Sequence, residues 1–313
     1  MSTVVDGLNP GGPAVVALGG GHGLAVVLRA ARRYAGRITA VVSVADDGGS
    51  SGRLRRARQR DADLLAPGDL RKCLVALADG DDPDHAVWAR ALEHRFESGE
   101  LAGHALGNLM LVGLAETMGG DFCAALDEAG RLVGAVGRVL PATTEPVVLK
   151  ADVEGLDVEG QVAVSNSLGR IRRLDIVPGD VAACPDAVAA IRAADQVVLA
   201  PGSLYTSLMP VICISGLRSA LRESPGRVVQ VANLRAEIPE TWDLDAVDQL
   251  AAVIDHGARV DQLLFEQVDP RALAADPQRV RALGVEPVGT HVAAASGLVH
   301  DPTELAKALA ALL

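Results

Sequence analysis

Two stretches of the chain combine glycine, hydroxyl and charged residues in patterns that suit an anion. In the first, Gly19-Gly20-Gly21-His22-Gly23 follows an apolar run, Ala14 to Leu18, and precedes a helical pattern from Leu24 to about Tyr34. Glycines there let the backbone approach an anion, while the N–H groups and dipole of a helix start stabilise its charge. No Gly-Lys-Ser/Thr follows, so this is not a Walker A loop, and Leu24 breaks the GxGxxG dinucleotide pattern. The second stretch, Pro201-Gly202-Ser203-Leu204-Tyr205-Thr206-Ser207, also follows an apolar run, Gln196 to Ala200. It reads as another helix start, with Ser203 as N-cap and Gly202, Ser203, Tyr205 and Thr206 as candidate contacts of a phosphorylated, nucleotide-like ligand. Asn233 ends the next apolar run, Arg227 to Ala232.

Acidic and basic residues stand between these stretches. Asp46 and Asp47 come just beyond the run Ile38 to Val44. An acid at a strand end holds a ribose hydroxyl in Rossmann-type sheets; two adjacent carboxylates before a Gly/Ser loop could instead hold Mg²⁺, with Asp46 the preferred ligand. Capping a turn is the plain alternative for either. Residues 45–52, including Gly48, Ser50 and Ser51, read as loop. Arg53, Arg55, Arg56, Arg58 and Arg60 follow; Arg53 abuts the loop and is expected to reach an anionic ligand, the others to be solvated. Asp69 is an N-cap candidate, and Arg71 in the same first turn opposes the helix dipole, which hints at a role. His104 and Asn108 are spaced to share one face of a predicted helix, as a satisfied buried pair or as ligand contacts. No Ser-His-Asp or Cys-His arrangement is poised for hydrolysis, and no catalytic residue is assigned.

The elements that must position these residues alternate. Short apolar runs of strand length are separated by helical patterns, the signature of βαβ units and a mostly parallel sheet. Helices are expected over 69–78, 83–97, 104–118 and 121–133, a hairpin from Val147 to Val153 and Gln161 to Ser165, then helices over 203 onward, 243–256 and 302–312, with a further strand at Gln262 to Phe265. The expected architecture is a Rossmann-like, three-layer α/β fold in one domain spanning 1–313. Its core is 13–60 and 190–313, with helices and a β-hairpin inserted over 61–185.

Composition narrows the function. The chain has 313 residues, 49% hydrophobic, ample for a core. Its net charge of −11 and 2% aromatic content disfavour nucleic-acid binding by surface charge or base stacking. Four cysteines, at 73, 123, 184 and 213, lack zinc-type spacing and read as small buried groups in a reducing compartment. Met1 to Gly12 lacks a signal-peptide pattern, and the best apolar stretch, Gln196 to Leu217, is broken by Pro201, Gly202, Ser203 and Pro210. A cytoplasmic protein with no membrane insertion is expected; homo-oligomer formation is left open.

The motifs ALGGGHGL (17–24), VADDGGSSGRLR (44–55), PGDLRKCLVAL (67–77), GHALGNLML (103–111), PGSLYTSLMP (201–210), VANL (231–234) and HDPTELA (300–306) occur in the order of the YvcK-type proteins. The chain thus resembles the gluconeogenesis-factor, or UPF0052, branch of the CofD-like superfamily. The resemblance implies a Rossmann-like fold and a cytoplasmic protein needed for cell shape and for growth on gluconeogenic carbon sources. It also implies binding of UDP-sugars such as UDP-N-acetylglucosamine, with no required cofactor, and a downstream partner in envelope synthesis. The related transferase branch moves a phospholactyl or phosphoenolpyruvyl group from a guanosine diphospho-donor to a deazaflavin precursor, using Mg²⁺. That branch has an SPDLDT-like segment where this chain has APGDLRKC. Within the closer branch, His22 replaces the usual Thr of GGGTG, Val299 a common Arg, and Pro302 a phosphorylatable Thr seen in some relatives. The expected function is a nucleotide-sugar-binding regulator; the alternative is a Mg²⁺-dependent CofD-type transferase. A nicotinamide-dependent oxidoreductase is a third class, disfavoured by the broken GxGxxG.

Overall fold

Aliphatic and β-branched runs become strands here because both faces of the sheet are covered by helices. The structure is a computed structural model describing residues 8–57 and 65–313. Its strands are β1 (Ala14–Gly19), β2 (Arg37–Val42), β3 (Arg138–Pro141), β4 (Val148–Val153), β5 (Leu156–Glu159), β6 (Ile171–Val177), β7 (Gln196–Leu199), β8 (Arg227–Val231), β9 (Gln262–Glu266) and β10 (Glu286–Thr290). Helices α1 (Gly21–Ala31), α2 (Gly49–Ala57), α3 (Pro67–Leu77), α4 (Pro83–Glu93), α5 (Leu106–Thr117) and α6 (Phe122–Leu132) fill the first half. Then come α7 (Gln161–Ser165), α8 (Pro185–Arg192), α9 (Met209–Cys213), α10 (Ser215–Glu223), α11 (Ala246–Asp255), α12 (Pro277–Ala282) and α13 (Pro302–Ala310). A π-helical turn, Leu204–Leu208, leads into α9.

Seven strands form one parallel sheet in the order β3-β2-β1-β7-β8-β9-β10. The chain leaves β1 towards β2 and β7 towards β8, in opposite directions. Right-handed crossovers therefore put α1 on one face and α9 and α10 on the other. Helices α1, α3 and α13 pack together, as do α8 and α10. The crevice outside the carboxyl ends of β1 and β7 is the switch point where ligands bind in such sheets. Both glycine-bearing stretches emerge there. A three-stranded antiparallel sheet, β5-β4-β6, completes the α/β fold.

The structure corrects several expectations. Residues 45–52 are not all loop, since α2 begins at Gly49. Ser50 and Ser51 are buried there, and the hydroxyl of Ser50 meets His104 Nδ1 at 3.0 Å, offsetting poor helix propensity. Helix α5 begins at Leu106, so His104 precedes it and does not share a helical face with Asn108. Asp69 is not an N-cap; Ala66 holds that place and Pro67 opens α3. Helix α1 starts at Gly21, three residues before the apolar pattern.

In the hairpin, Glu154 and Gly155 both have positive φ, 53° and 87°, the requirement of a type I′ turn. The second arm is therefore β5, and Gln161–Ser165 is helix. Strands β3, β6 and β10 and helix α8 were not anticipated. β3 belongs to the main sheet, so 61–185 is not wholly an insertion.

Candidate functional site

The start of α1 is built for close approach. Its N-cap, Gly20, is extended; no side chain caps the helix, and no acid stands in its first turn. Gly21 sits at φ 62°, a conformation that L side chains rarely adopt. A side chain at Gly23 would run into the carbonyl of Pro201, so α1 lies directly against the Pro201-Gly202 turn. That turn is held by Asn233, which accepts from Gly202 N–H at 2.6 Å and donates to Gly202 O at 2.8 Å. Gly19, Gly20, Gly21, His22, Gly23, Gly202 and Asn233 are thus brought together.

An acidic edge faces this start. A Cβ at Gly20 would lie 2.5 Å from Asp69 Oδ2, and one at Gly68 would lie 3.3 Å from Asp46 Oδ2 and 3.0 Å from Ser51 Oγ. Burial holds the Asp46 carboxyl above its ordinary range, and the Asp69 charge adds to this; the Gly48 N–H, the Ser51 hydroxyl and Lys72 oppose it. Lys72 Nζ lies 3.0 Å from Asp69 Oδ1. Asp47 faces elsewhere. Its two oxygens accept the N–H groups of Gln161 and Val162, each at 3.0 Å, and so cap α7.

Other expected residues are engaged within the protein. Arg53 donates to Ala102 O at 2.8 Å beside His104, whose imidazole is kept below its ordinary pKa by burial and by Arg53 and Arg95. Arg58 and Arg60 lie outside the described residues. Arg71 is 3% exposed, donates to Asn108 Oδ1 at 3.0 Å and pairs with Glu93. The absence of a side chain at Gly107 lets the Arg71 stem pass. Arg71 and Asn108 therefore form a buried polar link among α3, α4 and α5.

The second helix start differs from the first. Ser203 is its N-cap, accepting from Thr206 N–H at 3.4 Å. The anion position is filled by the protein itself: Glu240 Oε1 accepts from the N–H groups of Tyr205 at 2.6 Å and Thr206 at 3.1 Å, and Oε2 from the Ser203 hydroxyl. Burial raises the Glu240 pKa, against the three hydrogen bonds that lower it. The expectation that Ser203, Tyr205 and Thr206 contact the ligand meets this carboxylate already in place.

The family model for the 2-phospho-L-lactate transferase CofD matches residues 15–293. The chain belongs to the CofD family. Within it, this CofD-family chain is 36% identical over 290 residues to the gluconeogenesis factor of Halalkalibacterium halodurans, covering 87% of each. It is 32% identical over 320 residues to that of Bacillus subtilis, covering 96% of this chain and 98% of the relative. A Mycobacterium tuberculosis protein provisionally given the same name is 44% identical, covering 94% of this chain and 89% of its own. A crystal structure of a UPF0052 family member from Bacillus halodurans superposes with a TM-score of 0.88 at 33% identity, covering 95% of this chain and 98% of that one.

Sequence reasoning missed part of this candidate site. A cavity of about 160 Å³ beside the α1 start is lined by His22, Gly23, Gly202, Asn233, Arg235 and His300, among others. That is below the volume of a typical small-molecule site, so it suits one end of a ligand that continues along the open crevice. Arg235, two residues past Asn233, was findable as a cation just beyond a strand end; it pairs with Asp269 at 3.1 Å. Glu240 carried no local signal.

Among the described residues no group of three or more His, Cys, Asp or Glu is placed to hold a metal ion. Asp46 and Asp69, with Ser51, nonetheless fit the one or two carboxylates that Mg²⁺ takes when phosphate and water complete its shell. No cysteine is disulfide-bonded: Cys73 and Cys184 are buried, Cys123 and Cys213 half-buried. Among the described residues no single helix is long and apolar enough to cross a membrane. One pair, Leu204–Cys213 and Ser215–Glu223, is apolar enough together but bent by 80°.

Proposed function

We propose that the chain binds a nucleotide-sugar diphosphate of the UDP-N-acetylglucosamine kind and acts as a regulator rather than an enzyme. The observation that carries this reading is the open start of α1, Gly20 to Gly23, beside a small cavity at the sheet's switch point. The diphosphate lies on the N–H groups of that start, and one end of the ligand enters the cavity by His22, Asn233 and Arg235. Lys72 offsets the charge of Asp69 without a metal ion, which supports binding with no required cofactor. In this reading the protein is cytoplasmic and links nucleotide-sugar level to envelope synthesis and cell shape during gluconeogenic growth. The names of its relatives support the metabolic part of that role.

A Mg²⁺-dependent transferase acting on a guanosine diphospho-donor is the second reading. It is favoured by the facing carboxylates Asp46 and Asp69 and by the description of the matched family. In that case Asp46 and Asp69 hold the metal, which supplies charge neutralisation at the diphosphate. Calorimetric titration with UDP-N-acetylglucosamine, a guanosine diphospho-donor and NAD, each with Mg²⁺ or EDTA, separates the readings. The regulator binds the UDP-sugar in EDTA without consuming it. Strict Mg²⁺ dependence with nucleotide release, abolished in Asp46→Asn, supports the transferase instead.

A further inference from the structure

A second cavity, of about 590 Å³, lies along α10, on the face of the sheet away from α1. That volume falls within the range of small-molecule sites. Among the described residues its walls carry Arg172 and Arg173 of β6 and Arg218 and Arg222 of α10, against two carboxylates, Asp175 and Asp255. The local balance is thus basic in a chain whose net charge is −11. Two devices bring the arginines there. On α10, Ser215, Arg218 and Arg222 have the three- and four-residue spacing of one helix face, while Leu217, Ala220 and Leu221 are buried. On β6 the register against β4 shifts: Asp152 pairs with Arg173 and Val153 with Ile171, so Arg172 is an extra residue. Strict alternation would bury one of two adjacent arginines; this bulge leaves both exposed.

The charge of this groove is not balanced from within. A Cβ at Gly257 would lie 2.6 Å from Arg222 Nη2 and 3.6 Å from Arg218 Nε, so the two guanidinium groups converge on one point. Among the described residues neither pairs with a carboxylate. Arg218 donates to Ile212 O at 3.2 Å and Cys213 O at 3.3 Å, and Arg222 to Gly257 O at 2.9 Å. Carbonyls hold a guanidinium in place without neutralising it, and the two like charges repel. Arg173 pairs with Asp175 at 2.7 Å, whereas no described residue pairs with the Arg172 side chain. The walls are tied together by His256, whose Nε2 accepts from Leu174 N–H at 3.1 Å and whose Nδ1 donates to Ala252 O at 2.7 Å.

We propose that this groove is a second ligand site, for a small phosphorylated polyol of the sugar-phosphate class, with a phosphate on Arg218 and Arg222. Guanidinium forks match phosphate oxygens and need no metal ion to do so. Arg172 offers a further fork to a second anionic group, and Asp255, which has no ion pair among the described residues, accepts from sugar hydroxyls. No Phe, Tyr or Trp among the described residues lines the groove, so a nucleobase has nothing to stack on. The proposal stands apart from the nucleotide reading of the α1 start.

The test titrates the full chain by calorimetry with glucose 1,6-bisphosphate, with inorganic phosphate and with sodium sulfate at matched ionic strength. The bisphosphate should bind more tightly than either inorganic anion. Arg172→Gln and Arg222→Gln, both at exposed positions, should each weaken it about tenfold, the scale of one charge-assisted hydrogen bond. Arg192→Gln removes an equal charge from α8, outside the groove, and should change nothing. Wild type that holds the bisphosphate no better than phosphate or sulfate overturns the proposal. Equal losses in Arg192→Gln and Arg222→Gln, or no loss in either groove variant, overturn it too. Titration of wild type with UDP-N-acetylglucosamine decides the nucleotide reading separately.

Discussion

The two glycine-bearing helix starts at the switch point look alike in sequence and differ in what they offer. At α1, extended Gly20 caps with no side chain, and the first turn carries no acid. At Leu204, a carboxylate from 35 residues away takes the N–H groups of Tyr205 and Thr206. A helix start is an anion site only if the rest of the chain has not already supplied the anion. Here the plugged start has become scaffold. The Pro201-Gly202 turn that precedes it lies against Gly23 and so shapes the open one.

The largest effect should come from breaking the contact between the starts. Gly23→Ala puts a Cβ into the Pro201 carbonyl and should cost about 3 kcal/mol or more in urea unfolding. An unchanged midpoint would show that the two starts do not interlock. Next is acid sensitivity at the open start. His300 is held at about 4 when folded against 6.5 when free, so the unfolded chain binds the extra proton. Stability from this group is complete above pH 6.5 and falls, by up to about 3 kcal/mol, as pH drops towards 4. His300→Gln should flatten that part of the pH–stability curve; an identical slope would contradict the buried neutral imidazole.

Unplugging the second start sharpens the contrast further. Glu240→Ala leaves the Tyr205 N–H unpaired and the Thr206 N–H and Ser203 hydroxyl with only their local partners, and should cost about 2 kcal/mol. Millimolar inorganic phosphate should then raise the melting temperature of the variant more than that of wild type. Equal shifts would mean that the Leu204 start is not an anion site even when vacant. The smallest effect concerns Arg53. If it turns from Ala102 to the ligand, Arg53→Ala should weaken UDP-sugar binding by about 1.5 kcal/mol in calorimetry. No change would confine it to its contact with the 102–104 loop.

Legibility in the sequence followed locality. The strands β1, β2, β7, β8 and β9 read clearly because each is an apolar run buried on both faces. β6, Ile171–Val177, has buried residues interspersed among exposed Arg172, Arg173 and Asp175, and was missed. The glycine start of α1 and its place at a strand end were visible because they depend on neighbours in the chain. Asp47 capping α7, Arg71 joined to Asn108 and Glu240 filling the Leu204 start were not, since each partner lies more than 30 residues away. His300 stood in plain view within HDPTELA. Its burial beside the α1 start comes from the fold and is not written in its sequence neighbours.

A crystal structure of the chain with UDP-N-acetylglucosamine tests the central claim most directly. The diphosphate should lie on the N–H groups of Gly21 to Gly23, with Glu240 still bonded to Tyr205 and Thr206. A diphosphate seated on Tyr205 and Thr206, with Glu240 displaced, would contradict the assignment of the α1 start as the site.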